Sequence, residues 1–183
     1  MNIIILVIYD YLRDCQKLIL NFVYFFKNEV DVIDFIKLNN YELNRSKFSN
    51  KNNIINNLIN LIKDYIAGKK ISLFEKVRAL NIDLNLEEIF PSDFALSVIK
   101  YLIENIKYGK TTTYSEIGKV IGSRAYRAIG NILRKNPLPL IIPCHRVIRK
   151  NGKTGGFMGY SNNSDNWQQQ LKRDLLEIES YKD

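Results

Sequence analysis

Residues 111–135 read TTTYSEIGKVIGSRAYRAIGNILRK, and the punctuation of this stretch decides the fold. Thr113-Tyr114-Ser115-Glu116 fits a capping box, in which the Thr side chain accepts from the third helical N–H and the Glu reaches back to the cap. That spacing predicts a short helix running to Gly122. Ser123 is placed to cap a second helix from Arg124 to about Arg134, which must stop before Pro137. Two short helices across a Gly-Ser turn predict a helix-turn-helix. On the second helix Ala125, Ala128, Ile129 and Ile132 fall on the inner face, while Arg124, Arg127, Asn131 and Arg134 recur at i, i+3, i+7 and i+10 as one outward stripe. A charged outer face is ordinarily just solvated. Here three Arg lie in the most basic part of the chain: from Lys107 to Lys153 there are 11 basic residues against the single acid Glu116. A concentrated field of that sign attracts polyanions, of which nucleic acid is the commonest.

Working outward, Pro91-Ser92 opens the preceding helix with Ser92 as N-cap. Ala95, Leu96, Val98, Ile99, Leu102, Ile103 and Ile106 form its buried stripe, and Gly109 closes it. Further upstream Ile54, Ile55, Leu58, Ile59, Ile62 and Ile66 recur at spacings of three and four, predicting an amphipathic helix over 53–67 that ends at Gly68. Residues 69–90 show no period and read as loop with short irregular pieces. Asn and Lys crowd residues 39–53, as in a loop or domain boundary, and Ile3–Ile8 and Lys17–Phe26 read as strands, possible partners in a hairpin. The expected architecture is α/β in the α+β sense. A small sheet-containing domain spans 1–90, followed over 91–183 by a helical domain with a winged-helix-like helix-turn-helix.

Composition narrows the function. The 183 residues are 46% hydrophobic, enough to bury a core, and carry a formal charge of +8 from 27 basic and 19 acidic residues. Residues 1–90 are nearly balanced, with 12 basic and 11 acidic residues, whereas 91–183 hold 15 and 8. Two Cys and one His exclude a disulfide framework and a four-ligand structural zinc site. The apolar run Ile3–Tyr9 is far short of a membrane span of roughly 18–20 residues, and no basic segment with a cleavage site precedes it. A soluble intracellular protein is expected, cytoplasmic, or nuclear in a eukaryote.

The chemistry concentrates at Asn136-Pro137-Leu138-Pro139, the apolar run Leu140-Ile141-Ile142, and Pro143-Cys144-His145-Arg146-Val147-Ile148. The apolar run reads as a short buried strand. A thiol becomes a nucleophile only as thiolate, so a reactive Cys needs a base or positive neighbours. His145, Arg146, Arg149 and Lys150 offer both, whereas Cys15 reads as an inert core residue. In an extended chain the side chains of Cys144 and His145 point to opposite faces, so proton transfer between them requires a bend or a bridging water. His145 reads either as a structural hydrogen-bonder or, being the only His and beside a Cys, as the base.

Pro143-Cys144-His145-Arg146-Val147, preceded by Asn136-Pro137-Leu138-Pro139 and followed by Gly155-Gly156-Phe157, resembles the active-site signature of the O6-alkylguanine-DNA alkyltransferases, also called methylated-DNA–protein-cysteine methyltransferases. The resemblance is strong over 92–157, fair over 171–179, suggestive over 53–92 and absent before. It implies that Cys144 takes the alkyl group from guanine O6 by in-line displacement and keeps it, once per molecule, without metal or organic cofactor. It further implies that His145 deprotonates Cys144 through a water, oriented by Glu179, or failing that Glu177, and that Asn136 ties the helix-turn-helix to the active-site segment. Tyr114 is implied to rotate the damaged nucleotide out of the stack and Arg127 to fill the gap. The second helix is implied to enter the minor groove, where Arg124, Asn131 and Arg134 contact the DNA and small Ala125 and Ala128 allow close approach. A guanine pocket of Tyr114, Pro139, Val147, Gly155, Phe157 and Met158 follows from the same resemblance. Double-stranded DNA containing O6-alkylguanine is the implied partner and a monomer the implied state. The sequence departs from the family at bulky Tyr126, at Met158-Gly159-Tyr160 where a Ser and paired Gly are usual, and at an apparent insertion over 160–170. Competing readings are an alkylated-DNA-binding helix-turn-helix protein without transfer activity, against which Cys144 itself speaks, a helix-turn-helix regulator with an incidental Cys, and a cysteine hydrolase.

Overall fold

A computed structural model describes residues 4–12, 17–26, 52–160 and 166–180. The strand-forming segments near the start pair as antiparallel β1 (Ile4–Leu12) and β2 (Lys17–Phe26), with a register shift between Ile8 and Tyr9. On its other edge β2 takes a two-residue parallel partner, β3 (Ile82–Asp83). The predicted amphipathic helix is α1 (Asn52–Ile66), followed by Gly68 at φ +86°, a left-handed stop that glycine adopts without steric cost. Residues 69–90 are more ordered than their lack of period suggested. They hold α2 (Leu73–Ala79), β3 and α3 (Leu86–Ile89), elements too short for a hydrophobic repeat to show.

Ser92 caps α4 (Asp93–Asn105) as expected, its Oγ accepting from Ala95 N at 3.2 Å. Helix α4 ends at Asn105 rather than running to Gly109, which instead turns the following loop at φ +74°. The predicted capping box is present at Thr113, with Glu116 Oε2 accepting from Thr113 N at 2.7 Å, and starts α5 (Tyr114–Val120). Just before it, β4 (Thr112–Thr113) pairs in parallel with β5 (Val147–Ile148), a small addition to the helical plan.

Helix α6 (Tyr126–Arg134) begins two residues later than Arg124. The reason is local: Ser123 Oγ accepts from Ala125 N at 3.1 Å, closing a turn instead of capping a helix. Ala125 and Ala128 are exposed, a correction to their assignment to the inner face. That face is made by buried Ile129 and Leu133, with Ile132 half-buried. The last described helix is α7 (Trp167–Ser180). Cys15, the Asn-rich loop up to residue 51 and residues 161–165 of the apparent insertion lie outside the described residues.

Buried side chains from β2 (Leu20, Val23), α1 (Leu58, Ile62), α4 (Val98, Leu102) and α7 (Leu171, Leu175) belong to one apolar cluster. Each fully buried Leu or Ile contributes roughly 1.5–3 kcal/mol. Among the described residues no helix is long and apolar enough to cross a membrane.

Candidate active site

The apolar run before Cys144 is not a strand. Leu140 and Ile141 form a tight buried turn, with Leu140 at φ +71°, a left-handed conformation strained for a branched side chain. Ile142 N donates back to Leu138 O at 2.9 Å, and Cys144 N to Ile142 O at 2.8 Å. Asn136 spans this turn. Its Nδ2 donates to Ile142 O at 3.2 Å and to Cys144 Sγ at 3.1 Å, while its Oδ1 accepts from Leu138 N at 3.0 Å. Cys144–Arg146 is a single 3-10 turn, not extended chain, which supplies the bend that adjacency alone could not.

That turn sends His145 and Arg146 inward. His145 is fully buried, its Nε2 lying 3.0 Å from Glu179 Oε1 and 3.0 Å from the Tyr65 hydroxyl. Its Nδ1 is buried and, among the described residues, without a partner. Arg146 points away from the thiol: Nε and Nη2 donate to Glu179 at 2.9–3.1 Å, and Nη1 to Ile106 O at 2.7 Å. Gly109 N and the Tyr65 hydroxyl also donate to Glu179. Burial alone pushes a carboxyl up, but the donors from His145 and Arg146 prevail and hold Glu179 at about 2. His145 moves the other way. Burial lowers it against the opposing pull of Glu179, so the imidazole is neutral and the ion pair is Arg146–Glu179. Glu177, the other carboxylate considered, is exposed and takes no part.

Burial also raises the Cys144 thiol, and two neighbours offset part of that rise, the Asn136 hydrogen bond and the charge of Lys172. Of the expected helpers, both exposed, Arg149 borders the same cleft as Cys144 and Lys150 does not. Lys172 was missed in the sequence. It is fully buried on α7, its Nζ donating to Val147 O at 2.7 Å and Gly156 O at 3.2 Å, and burial lowers it to about 8. Its spacing from Leu175 and Glu179, i, i+3 and i+7, was the available signal.

Cys144 borders a cleft of about 390 Å³ together with Tyr114, Arg134, Phe157, Met158 and Tyr160. That volume lies within the range of small-ligand sites, roughly 300–1,000 Å³. Pro139, Val147 and Gly155, expected in the pocket, are not among the residues that border this cleft. Val147 is fully buried and its backbone is engaged in β5, Pro139 is buried beside the Leu140 turn, and Gly155 sits behind Tyr114. A Cβ at Gly155, where φ is +78°, would stand 3.3 Å from the Tyr114 hydroxyl. Phe157 and Tyr160 exchange backbone bonds of 3.1 and 3.0 Å around Met158 and Gly159, whose φ values of +48° and +87° both lie in the left-handed region. A larger hollow of about 580 Å³, bordered by Phe74, Arg78, Asp83 and Lys100, contains no Cys or His. Among the described residues no cluster of His, Cys, Asp or Glu could hold a metal ion.

Arg124, Ala125, Arg127, Ala128, Asn131 and Arg134 are all exposed around α6. Tyr126, 43% exposed, turns its ring back over α5: a Cβ at Gly118 would come within 2.7 Å of Tyr126 Cε1. Tyr114 is half-buried, near Gly130 and Gly155; burial raises its hydroxyl, and a thiolate at Cys144 would add to that rise.

Residues 93–181 match the family model described as 6-O-methylguanine DNA methyltransferase, DNA binding domain. A methylated-DNA–protein-cysteine methyltransferase of Methanosarcina barkeri is 47% identical over 114 residues, covering 62% of this chain and 66% of the relative. The protein of the same name from Saccharolobus solfataricus is 42% identical over 118 residues, 64% of each chain. The chain thus spans slightly under two thirds of the length of these relatives. Among solved structures, Mycobacterium tuberculosis OGT in complex with DNA is 26% identical with a TM-score of 0.54, over 88% of this chain and 81% of that one. The O6-methylguanine-DNA methyltransferase of Pyrococcus kodakaraensis, at 18% identity and TM-score 0.56 over 96% and 99% of the two chains, speaks to the fold. The matched helices and the Pro143–Val147 signature make residues 93–181 of this chain similar to the DNA-binding domain of the O6-methylguanine DNA methyltransferases.

Proposed function

We propose that this protein repairs O6-alkylguanine in double-stranded DNA by moving the alkyl group to Cys144, once per molecule and as a monomer. The observation that carries this reading is the Cys144 thiol, held by Asn136 at the wall of a cleft and followed in the chain by a fully buried His145. The exposed Arg face of α6 meets the phosphates and the minor groove, and Ala125 and Ala128 leave room for close approach. Arg127 fills the stack vacated by the lesion, and Tyr114, between the cleft and α6, guides the base inward. His145 Nδ1 receives the thiol proton through a water. The thiolate then attacks the alkyl carbon: the S–C bond forms as the C–O bond breaks, the bonding pair leaves on guanine O6, and the proton held by His145 returns to the base. The charge of Lys172 and the Asn136 amide favour the transient thiolate.

The test is to mix the protein with a duplex containing O6-methylguanine and map the methyl by peptide mass spectrometry. One equivalent on the Cys144 peptide, and none after Cys144→Ala, is the expected result. Turnover beyond one equivalent would indicate a hydrolase, and lesion binding without any methylated peptide a recognition module.

A further inference from the structure

Tyr65 lies on α1, outside the residues matched by the family model, yet its hydroxyl reaches the centre of the site. It is fully buried, 3.0 Å from His145 Nε2 and hydrogen-bonded to Glu179 Oε1. Its ring stands edge-on to those of Tyr108 and His145, with centroids 5.8 and 6.3 Å away.

Hydrogen-bond arithmetic restricts what these three groups can do. A phenol has one proton, and Glu179, ionised by its pairing with Arg146, can only accept, so that proton goes to Oε1. The phenol oxygen is then left to face Nε2 with a lone pair. If Nε2 were also unprotonated, its own lone pair would oppose two acceptors at 3.0 Å in a buried pocket. A neutral imidazole avoids this only by carrying its hydrogen on Nε2, which leaves the lone pair on Nδ1, the buried atom without a partner among the described residues. Glu179 alone is a weak lock, because Arg146 Nε and Nη2 compete for the same Oε1. We propose that Tyr65 is a positioning residue that, with Glu179, fixes His145 as the Nε2–H tautomer and so assigns proton acceptance to Nδ1. The proposal rests on the alkyl-transfer reading above for its catalytic consequence but not for the tautomer itself.

His145 is the only histidine in the chain, so selective ¹⁵N labelling gives one unambiguous pair of ring signals. The parent should show a single tautomer with the proton on Nε2. In Tyr65→Phe, which keeps the ring and its packing, the two nitrogen shifts should move toward each other as tautomers mix. Single-turnover transfer at saturating duplex should fall about tenfold or more, with DNA binding unchanged. A parent spectrum with the proton on Nδ1 overturns the proposal without recourse to a variant, and so does a Tyr65→Phe protein with parental shifts and parental rate. Should the parent transfer no methyl at all, the functional reading fails while the ring-nitrogen result still decides the role of Tyr65.

Discussion

The guanidinium of Arg146 grips the carboxylate of Glu179 in a buried two-pronged pair, Nε to Oε2 at 3.0 Å and Nη2 to Oε1 at 2.9 Å. This contact fastens the end of α7 beneath the cysteine turn, and His145, Tyr65 and Gly109 attach to the same carboxylate.

Acid unfolding should report that carboxylate. Held at about 2 against an ordinary 4.5, Glu179 supplies stability that is complete above pH 4.5 and drains away as pH falls toward 2, on the order of 3 kcal/mol in all. Glu179→Gln should flatten this part of the pH–stability curve, measured by urea melts. It should also cost about 3–5 kcal/mol at neutral pH, because Arg146 is left buried and uncompensated.

Replacing Asn136 with Ala removes the donor on the Cys144 sulfur and two bonds across the Leu140 turn. The expected loss is about 1–3 kcal/mol of stability, with the pH midpoint of iodoacetamide labelling at Cys144 moved upward from a value already raised by burial. An unchanged labelling midpoint would refute the assigned effect of the amide on the thiol.

Gly118 has no room for a side chain: a Cβ there would meet Ser123 O at 2.4 Å and Tyr126 Cε1 at 2.7 Å. The first obstacle is backbone and cannot rotate aside. Gly118→Ala should therefore push α6 from α5, lowering stability by roughly 1–3 kcal/mol in a thermal melt and weakening DNA binding along with it.

On the exposed face of α6, each of Arg124, Arg127 and Arg134 that neutralises a phosphate should, when changed to Ala, reduce the slope of log affinity against log salt by about 0.9. Arg127→Ala should in addition slow repair of duplex more than repair of single strands, since only a duplex has a stack to fill. Equal slowing on both substrates would leave Arg127 a mere phosphate contact.

Much of this was legible in the sequence where a local rule governs local structure. Ser92 and the Thr113–Glu116 box are caps whose geometry is complete within four residues, and both form as read. Ser123 misled because a hydroxyl followed by a helical pattern serves a tight turn as readily as a cap. Leu140-Ile141-Ile142 misled because an apolar run records burial, not conformation, and a leucine at positive φ leaves no compositional trace. At the site, the adjacency of Cys144 and His145 was visible, but the group that bends them was not. Tyr65 and Lys172 were hidden for opposite reasons: one looks like one more core aromatic on α1, the other like one more solvated lysine on a helix rich in charge. Only the fold, which brings α1 and α7 against the cysteine turn and the strand after it, gives them a role.

The amide of Val23 donates to Pro137 O at 2.9 Å, on the flank of β2 that β3, paired only at Leu18 and Ile19, leaves uncovered. A bare strand flank is a template for foreign chains, and here it is occupied by the very loop that carries the sulfur. Deuterium uptake at this one amide therefore gauges, from a distant strand, how firmly that loop is seated. Without that single bond the Val23 amide and this stretch of β2 would lack the partner that the Pro137 loop supplies.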